Sequence, residues 1–260
     1  MTTFFELYKR VLEDTLNGEE IPDIEKKYSG LVDNMQLDCL LHPKKHPSIW
    51  HIGKCTCPPD KKSACIESCP FEAIKPDEEG NVQISVEDCV GCYSCVDACP
   101  AEKLTASKDI IPALKAVRGN KGLSYALVAP AFLGQFDKAT PGMLRTAFKK
   151  IGFDGMVEVS LFADILTLKE SLEFNKNIRK ETDFQLTSCC CPIWIAMIRR
   201  IYNDLLPHVP GSVSPMIASG RTIKQLYPDT VTVFVGPCMA KKSEAREMDI
   251  AGAIDFVLTF

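Results

Sequence analysis

The chain has 260 residues, of which 46% are hydrophobic and 25% charged, with a formal net charge of −4 at pH 7. This composition excludes disordered and collagen-like proteins, and the length suffices for one or two hydrophobic cores. No apolar stretch approaches the ~20 residues of a membrane-spanning helix, which predicts that the chain does not insert into a membrane.

The first residues predict a cytoplasmic location and an amphipathic helix. Glu6, Lys9 and Arg10 occupy positions where a secretory signal has its apolar core. Apolar residues recur at helical spacing through 3–16 before Gly18, which predicts a helix over that range. Prolines and lysines then favour a loop over residues 40–64.

Charge divides the sequence into two parts. Residues 1–105 contain 11 Lys and Arg against 19 Asp and Glu, whereas residues 106–260 contain 19 against 15. An acidic part followed by a mildly basic part predicts two domains. Neither part has a basic cluster dense enough to indicate a nucleic-acid partner.

The sequence contains 13 cysteines, and in a cytoplasmic protein their spacing indicates metal binding rather than disulfides. The run Cys89-x2-Cys92-x2-Cys95-x3-Cys99-Pro100 has the spacing of bacterial ferredoxins, where three thiolates bind one 4Fe-4S cluster and the fourth binds a second. The alternative, a structural zinc site, pairs two C-x2-C hooks and has no use for the trailing C-x3-C-P.

A second run has four cysteines at wider spacing, Cys55-x-Cys57-x7-Cys65-x3-Cys69. CIESCPFEAI at 65–74 resembles CVDACPAEKL at 95–104, which predicts a pseudo-twofold unit in which each C-x3-C-P run leads into a short helical turn. Because the fourth cysteine crosses to the other cluster, two sets of ligands are predicted. They are Cys89, Cys92, Cys95 and Cys69 for one cluster, and Cys55, Cys57, Cys65 and Cys99 for the other. The alternative is one cluster with spare thiols.

Two such clusters in an acidic domain predict an electron relay between a docked redox carrier such as ferredoxin and a buried site. Four further residues just upstream, Cys39, His42, His46 and His51, have no regular metal-binding spacing. We interpret Cys39 as a free cysteine and the histidines as surface or loop residues.

Beyond residue 105 strands and helices alternate, which predicts a parallel α/β sheet. The predicted strands cover residues 123–128, 156–159, 184–187 and 230–235. The predicted helices cover residues 140–150, 162–179, 192–202 and 214–227, with Thr140 as the N-cap of the first and Gly152 just after its end. Ligands of such sheets bind beyond the carboxyl ends of strands. Site residues are therefore expected in 129–131, 188–192 and 236–238.

The third group of cysteines, Cys189 to Cys191 and Cys238, lies at these predicted strand ends. Adjacent side chains diverge at a strand-to-helix turn, so at most one or two of the three neighbours serve one metal centre. A helix N-terminus also favours the thiolate form that binds metal. These residues favour a metal or redox function over a purely structural one.

At these residues the sequence resembles the iron-only (FeFe) hydrogenases, which couple ferredoxin-type clusters to a catalytic H-cluster, a 4Fe-4S cubane linked to a di-iron unit. TSCCCPIW at 187–194 looks like the first H-cluster motif of the family, and PCMAKKSEA at 237–245 looks like the second. The resemblance covers roughly residues 50–260. It extends to Ala129-Pro130-Ala131, to ADILTLKESLE at 163–173 and to Ser214-Pro215.

TSCCCPIW can be aligned with the family motif in two registers. Counting back from its PIW end makes Cys191 the cubane ligand and Cys190 the cysteine that hands protons to the di-iron unit. Counting forward from its TSC end makes Cys190 the ligand and Cys189 the donor. The distance from Glu170 favours the first register.

The resemblance gives roles to four more residues. Cys238 is implied as a second cubane ligand, and the ammonium of Lys241 as a donor to a diatomic ligand of the di-iron unit. A fixed cation beside electron-rich metal stabilises bound anionic ligands. Ala129 and Pro130 are implied to line the di-iron pocket.

Three glutamates are implied to act in proton transfer. Glu170 and Glu173 lie three residues apart on one helix face, a spacing that lets carboxylates pass a proton, and Glu244 follows Lys241 by the same interval. The relay serine of the family aligns with Pro210, which has no hydroxyl group. Either water substitutes for it, or protons move by another route.

Family members carry a third motif with two further cysteines after a strand resembling IDFVLTF at 254–260, and this sequence has no such motif. The predicted fold is an α+β ferredoxin-like dicluster domain followed by an α/β parallel-sheet domain that is an incomplete hydrogenase catalytic domain. Its predicted parts are an N-terminal helical segment at 1–48, the domain of two 4Fe-4S clusters at 49–106 and the catalytic portion at 107–260.

Three functions are compatible with this pattern. A hydrogenase portion, from a truncated gene, a fragment or a two-polypeptide enzyme, would take part in reversible proton reduction to H2. It would hold an H-cluster only if the missing third motif is supplied, and the 260-residue chain alone would be inactive. The alternatives are a dicluster electron carrier and a hydrogenase-like iron-sulfur sensor or assembly protein. Retention of Cys191, Cys238 and Lys241 favours the first function.

Overall fold

The structure, a computed structural model, describes residues 3–58, 64–186 and 190–260. It divides into two compact units, Met1–Ala116 and Val117–Phe260. The division falls later than the predicted boundary at 106/107, because the first turns of the helix at Ile110–Gly119 contribute to the core of the N-terminal unit. Within the described residues, no helix combines the length and apolar character needed to cross a bilayer.

The N-terminal unit begins with three helices, α1 (Phe4–Leu16), α2 (Ile21–Tyr28) and α3 (Asn34–Leu41). The helix predicted over 3–16 is confirmed. It starts at a capping box, in which the Thr3 hydroxyl accepts from the Glu6 amide and the Glu6 carboxylate accepts from the Thr3 amide. Its apolar face is buried in a core that includes Trp50.

Short strands and helical turns build the rest of this unit. A 3-10 helix at Pro43–Lys45 precedes β1 (Ile49–His51), α4 (Ala64–Glu67), β2 (Ile74–Pro76), β3 (Val82–Ile84), α5 (Ser94–Asp97) and β4 (Leu104–Ala106). β1 pairs with β4 and β2 pairs with β3, both antiparallel. The region predicted as a loop, residues 40–64, therefore contains the strand β1. A three-residue strand is too short to show a periodic pattern in the sequence, and β1 forms by pairing with β4.

β1 separates two environments. Successive side chains of a strand point to opposite faces. Trp50 therefore lies in the core of the N-terminal helices, where its ring meets that of Phe4 edge to face at 6.1 Å. Ile49 belongs to the core beside the cysteines, and His51 lines a cysteine-lined cavity described below.

The predicted pseudo-twofold repeat is present in the backbone. Glu72 and Glu102 occupy equivalent positions and share the same left-handed conformation, each with φ of 52°. The helical turns α4 and α5 contain the first cysteine of each C-x3-C-P run, and the runs lead into strands β2 and β4. The expectation that each run leads into a helical turn was therefore wrong, since the cysteine-proline ends the turn.

The C-terminal unit contains the predicted parallel sheet, which has four strands in the order β6-β5-β7-β8. Its strands are β5 (Ser124–Val128), β6 (Gly155–Glu158), β7 (Val231–Gly236) and β8 (Phe256–Thr259). Its helices are α6 (Ile110–Gly119, shared with the first unit), α7 (Phe132–Gln135), α8 (Pro141–Ile151), α9 (Ser160–Asn177), α10 (Pro192–Arg200), α11 (Pro215–Leu226) and α12 (Ala240–Glu244), with a 3-10 helix at Asn203–His208.

The predicted ends of α8 are confirmed. Thr140 caps the helix by accepting from the Met143 amide, Pro141 takes the first helical position, and Gly152 follows the last with φ of 127°. The predicted strand at 184–187 was wrong for residues 184–186, and residue 187 lies outside the described residues. The Leu186 amide instead donates to the carbonyl of His208, so this segment pairs with the 3-10 helix.

The order of strands creates a switch point next to β5. The chain passes from β5 to β6 on one side and later returns to β7 on the other side. In parallel α/β sheets, ligands bind in the crevice beyond the carboxyl ends of the two strands at such a point. The segments that follow β5 and β7 contain Ala129-Pro130 and Pro237-Cys238.

Candidate functional site

Eight cysteines of the N-terminal unit line two cavities, four in each. One cavity is lined by Cys55, Cys57, Cys65 and Cys99. The other is lined by Cys69, Cys89, Cys92 and Cys95. The structure thus brings together the same two groups of side chains that the spacing predicts, with Cys69 and Cys99 each crossing to the partner run.

The geometry suits a polynuclear cluster better than a single ion. Among the described residues, no three Cys, His, Asp or Glu side chains converge closely enough to hold one metal ion. The described cysteines are also free of disulfides. Four thiols that surround a cavity fit a 4Fe-4S cubane, in which each cysteine binds a different iron atom at a corner of the cluster.

The two crossing cysteines receive matching hydrogen bonds. The Ala73 amide donates to Cys69 Sγ at 3.3 Å, and the Lys103 amide donates to Cys99 Sγ at 3.4 Å. Both amides lie four residues after their cysteine and follow the left-handed glutamates of the repeat. Hydrogen bonds to sulfur raise the reduction potential of an iron-sulfur cluster, so each amide would tune a cluster bound at its cysteine.

Burial and mutual repulsion oppose ionisation of these thiols when no metal is bound. Burial, followed by the charges of Cys89 and Cys92, raises the pKa of Cys95 to about 12. Burial, followed by the charges of Cys99 and Cys55, also raises the pKa of Cys65. Four thiolates can share so small a volume only around cations, which iron supplies.

His51, expected as a surface or loop residue, instead lies in β1 and lines the first cavity, because β1 pairs with β4 beside the cysteines. Its Nε2 lies 3.3 Å from Cys55 Sγ, while the Cys55 amide donates to the side-chain oxygen of Asn81 at 3.0 Å. Burial lowers the pKa of His51 and favours the neutral ring. The neutral ring can donate one hydrogen bond to the sulfur, so His51 supports the cluster loop.

Of the other upstream residues, Cys39 lies in the core of the N-terminal helices, whereas His42 and His46 are half-buried. Cys39 is buried and 6% exposed, and burial raises the pKa of its thiol to about 12. His42 Nε2 lies 2.8 Å from Glu25 and His46 Nε2 lies 2.6 Å from Asp38. Cys39 is free, as expected, and the two histidines, expected as surface or loop residues, are half-buried and contact carboxylates.

The segments after β5 and β7 touch at the switch point. The Ala129 amide donates to the Val235 carbonyl at 2.9 Å. A Cβ at Gly236 would lie 2.9 Å from the Cβ of Ala129 and 2.7 Å from the Phe234 ring, so only glycine fits there. This contact leaves Ala129 buried and Pro130 exposed, with Cys238 half-buried just beyond.

The N-terminus of α10 joins the same place through Lys241. The Lys241 ammonium donates to the Cys190 carbonyl at 2.7 Å and to Glu244 Oε2 at 2.6 Å. Lys241 and Glu244 are only 8% and 7% exposed. Cys191 is the N-cap residue of α10 and is exposed, as is Cys190. The two motif segments predicted to form one site therefore meet.

The described residues before the expected site segment 188–192, namely 184–186, do not form the expected strand, because they pair with the 3-10 helix. Thr187, Ser188 and Cys189 lie outside the described residues, so the register with Cys189 as the donor has no structural description.

Glu170 and Glu173 lie on α9 and are half-buried. Glu173 forms an ion pair with Lys169 at 2.8 Å, and the Lys169 ammonium also donates to the Gly211 carbonyl at 2.9 Å. Glu173 lines a cavity together with the buried Pro210. Glu173, which the resemblance implies in proton transfer, is therefore paired with a neighbouring cation.

The thiolates that the two motifs assign are Cys191 and Cys238, whereas a cubane takes four ligands. The donor set of the described residues therefore does not complete an H-cluster. Sequence reasoning missed three charged residues beside Glu244, namely Arg199, Glu247 and Asp249. The spacing of Glu247, three residues after Glu244, was the available signal.

Comparison with known families agrees with both units. Residues 123–260 match the family model described as iron only hydrogenase large subunit, C-terminal domain. Residues 82–102 match the 4Fe-4S binding domain.

Three curated relatives illustrate the range of similar proteins. Iron hydrogenase 1 of Clostridium pasteurianum is 30% identical over 146 residues, which cover 52% of this chain and 25% of that protein. The periplasmic [Fe] hydrogenase large subunit of Nitratidesulfovibrio vulgaris is 27% identical over 244 residues, 73% and 58% of the respective chains. The cytosolic Fe-S cluster assembly factor NAR1 of Kluyveromyces lactis is 23% identical over 205 residues, 72% and 42%.

The chain thus spans between 25% and 58% of the length of these relatives. The family match covers the parallel sheet, both H-cluster-type motifs and the contact between Lys241 and Cys190. The protein is therefore a hydrogenase-like iron-sulfur protein that belongs to the family of the iron-only hydrogenase large subunit, C-terminal domain.

Proposed function

We propose that this chain is the electron-input and partial catalytic portion of an iron-only hydrogenase, which interconverts 2H+ + 2e− and H2. The observation that carries this proposal is the buried ammonium of Lys241, held by Glu244 and by the Cys190 carbonyl at the switch point of the sheet. An electron carrier whose C-terminal unit had lost turnover would have no need to bury this ion pair. A buried ion pair seldom adds stability over apolar residues of similar size.

Electrons would enter through the N-terminal unit. The two cavities lined by four cysteines each would hold 4Fe-4S clusters, which accept one electron at a time from a carrier such as ferredoxin. The proposal includes the cytoplasmic location that the first residues predict.

The residues of the C-terminal unit would prepare the reaction site. Lys241 presents a positive charge whose position is fixed by two hydrogen bonds, and such a charge stabilises anionic ligands without reorganisation. Cys191, at the start of α10, and Cys238, after β7, would provide two thiolates. The H-cluster, once bound, would supply the redox chemistry itself.

Residues outside these 260 would complete the H-cluster in this proposal, because the motifs here provide two of four thiolates. The similar hydrogenases are longer, which supports a catalytic domain that continues in another polypeptide or segment. A polypeptide that carries the third motif is therefore a proposed partner.

Hydrogen evolution tests this function directly. Reconstituted chain would be mixed anaerobically with reduced viologen, with and without a polypeptide carrying the third motif and a source of the di-iron unit. We expect H2 only in the complete mixture, and loss of H2 with Cys191→Ala. Activity unchanged by Cys191→Ala would show that the alternative register is correct, and no H2 in any mixture would reject the proposal.

A second candidate is an iron-sulfur assembly or sensor protein without turnover. It is supported by the similarity to the assembly factor NAR1 and by Pro210, where a proton-relay hydroxyl is expected. This candidate predicts transfer of iron and sulfide from the reconstituted chain to an apo-ferredoxin, with no H2 from any mixture. Transfer without H2 would favour it over the hydrogenase.

A further inference from the structure

A cavity beside Glu244 connects the buried ion pair to charged residues of the surface. Its volume is about 320 Å³, and its lining includes Glu244, Glu247, Asp249, Arg199 and Pro210. A polar cavity needs only ~10–15 Å³ of such volume to hold one water molecule. The cavity therefore has room for several water molecules between the carboxylates that line it.

The charges along this cavity are arranged by depth. Innermost, Lys241 and Glu244 are buried and joined at 2.6 Å. Farther out, half-buried Glu247 pairs with Arg199 at 3.0 Å, and Arg199 lies 3.8 Å from exposed Asp249. The series leads from a buried cation to carboxylates in contact with solvent.

Glu247 has the properties of a proton carrier at the middle of this series. Burial raises its pKa, and so do the charges of Asp249 and Glu244, while Arg199 acts in the opposite direction. The raised pKa lies closer to neutral pH than that of an ordinary carboxyl group, which makes proton uptake and release easier. Arg199 from α10, Asp249 from the turn after α12 and Glu244 on α12 are the charged groups facing it.

We infer that Glu247 relays protons between solvent and the Lys241–Glu244 pair through water in this cavity. The inference rests on the proposed hydrogenase function, for which it supplies the proton path. Glu247 takes one proton from solvent and passes one through water to Glu244. Glu244 returns one to Lys241 whenever the ammonium gives one up at the site, so each group regains its starting charge and no electron moves.

This path accounts for the proline at position 210. The path predicted from the sequence runs through Glu170 and Glu173, but Pro210 offers no hydroxyl group to continue it. Pro210 also lines the cavity of Glu247, and its ring provides no hydrogen-bonding group there. A path through Glu247 needs only carboxylates and water.

The test measures exchange of the Lys241 ammonium hydrogens with solvent, by NMR of the full reconstituted chain labelled with ¹⁵N-lysine. We expect Glu247→Gln to slow this exchange about tenfold or more and to remove its pH dependence near the Glu247 pKa. Glu247→Asp should restore both. Glu181→Gln, an exposed glutamate outside the cavity, is the matched control and should leave exchange unchanged.

Exchange in Glu247→Gln equal to that of the unmodified chain would overturn the inference, as would slowing by Glu173→Gln alone. Equal thermal midpoints of the variants would exclude unfolding as the cause of slower exchange. The measurement involves no H2 chemistry. If exchange depends on Glu247 but no H2 is evolved, the proposed function is rejected and the relay stands. If H2 is evolved but exchange does not depend on Glu247, the relay is rejected and the proposed function stands.

Discussion

The ammonium of Lys241 donates to the carbonyl of Cys190 at 2.7 Å, although the two residues are 51 positions apart. This hydrogen bond joins the N-terminus of α10 to the start of α12, and with them the two motifs of the candidate site. Glu244 accepts a second hydrogen bond from the same ammonium, at 2.6 Å. Several expected outcomes depend on this and related contacts.

Lys241→Met should lower the free energy of unfolding by about 3–5 kcal/mol, because Glu244 would remain buried without its cation. Chemical denaturation would measure the change. The double variant Lys241→Met with Glu244→Leu should recover much of the loss, since no charge stays buried. A loss below about 1 kcal/mol for the single variant would mean that the pair is solvated like a surface ion pair.

Reconstituted chain should contain about eight iron atoms, four for each cysteine-lined cavity. Cys99→Ser should reduce the content to about four, because Cys99 shares its cavity with Cys57. Adding Cys57→Ser should cause no further loss, whereas adding Cys92→Ser should remove the remaining iron. Iron analysis with EPR of the reduced protein measures both effects, and the reverse result would show that the crossing assignment is wrong.

Cys39 should resist alkylation after iron removal. Its pKa of about 12 leaves roughly one thiolate in a thousand at pH 9, and the thiolate is the reactive form. Exposed Cys190 and Cys191 are the controls and should react first, as measured by mass spectrometry of iodoacetamide-treated chain. Rapid labelling of Cys39 in folded chain would contradict its burial.

The same pKa makes stability depend on pH. Cys39 is harder to ionise in the folded state than in the unfolded state, so its contribution is complete below pH ~9, the ordinary thiol range. It should be lost as pH rises from about 9 to 12. Cys39→Ala should flatten this part of the stability profile, and an unchanged slope would disprove the assignment.

Gly236→Ala should destabilise the C-terminal unit by about 1–3 kcal/mol, because its Cβ would crowd the Phe234 ring and Ala129. The matched control is Gly142→Ala in α8, where the Cβ would meet only the Thr140 hydroxyl at 3.9 Å. That change should stabilise the protein by about 0.4–1 kcal/mol. Thermal unfolding compares the two, and equal effects would mean that the strand ends can separate.

Much of the C-terminal fold could be predicted because its signals are local. The N-cap Thr140, the following proline and Gly152 define α8 by backbone chemistry within one helix. The strand predicted at 184–186 was wrong because its structure depends on a distant residue. Its apolar residues resemble a strand, but the Leu186 amide donates to the carbonyl of His208. A strand exists only when a partner strand is available, and that depends on distant residues.

The sequence by itself determined the two groups of four cysteines, the alternation of strands and helices, and the family, since each follows from spacing along the chain. Only the tertiary structure decided that Lys241 reaches Cys190, that Lys169 holds Glu173, and that Glu247 lies on the cavity of Glu244. Spacing specifies which residues share a turn or a strand end. Which charges meet across different elements depends on how those elements pack, and packing follows from the whole buried surface rather than from any single motif.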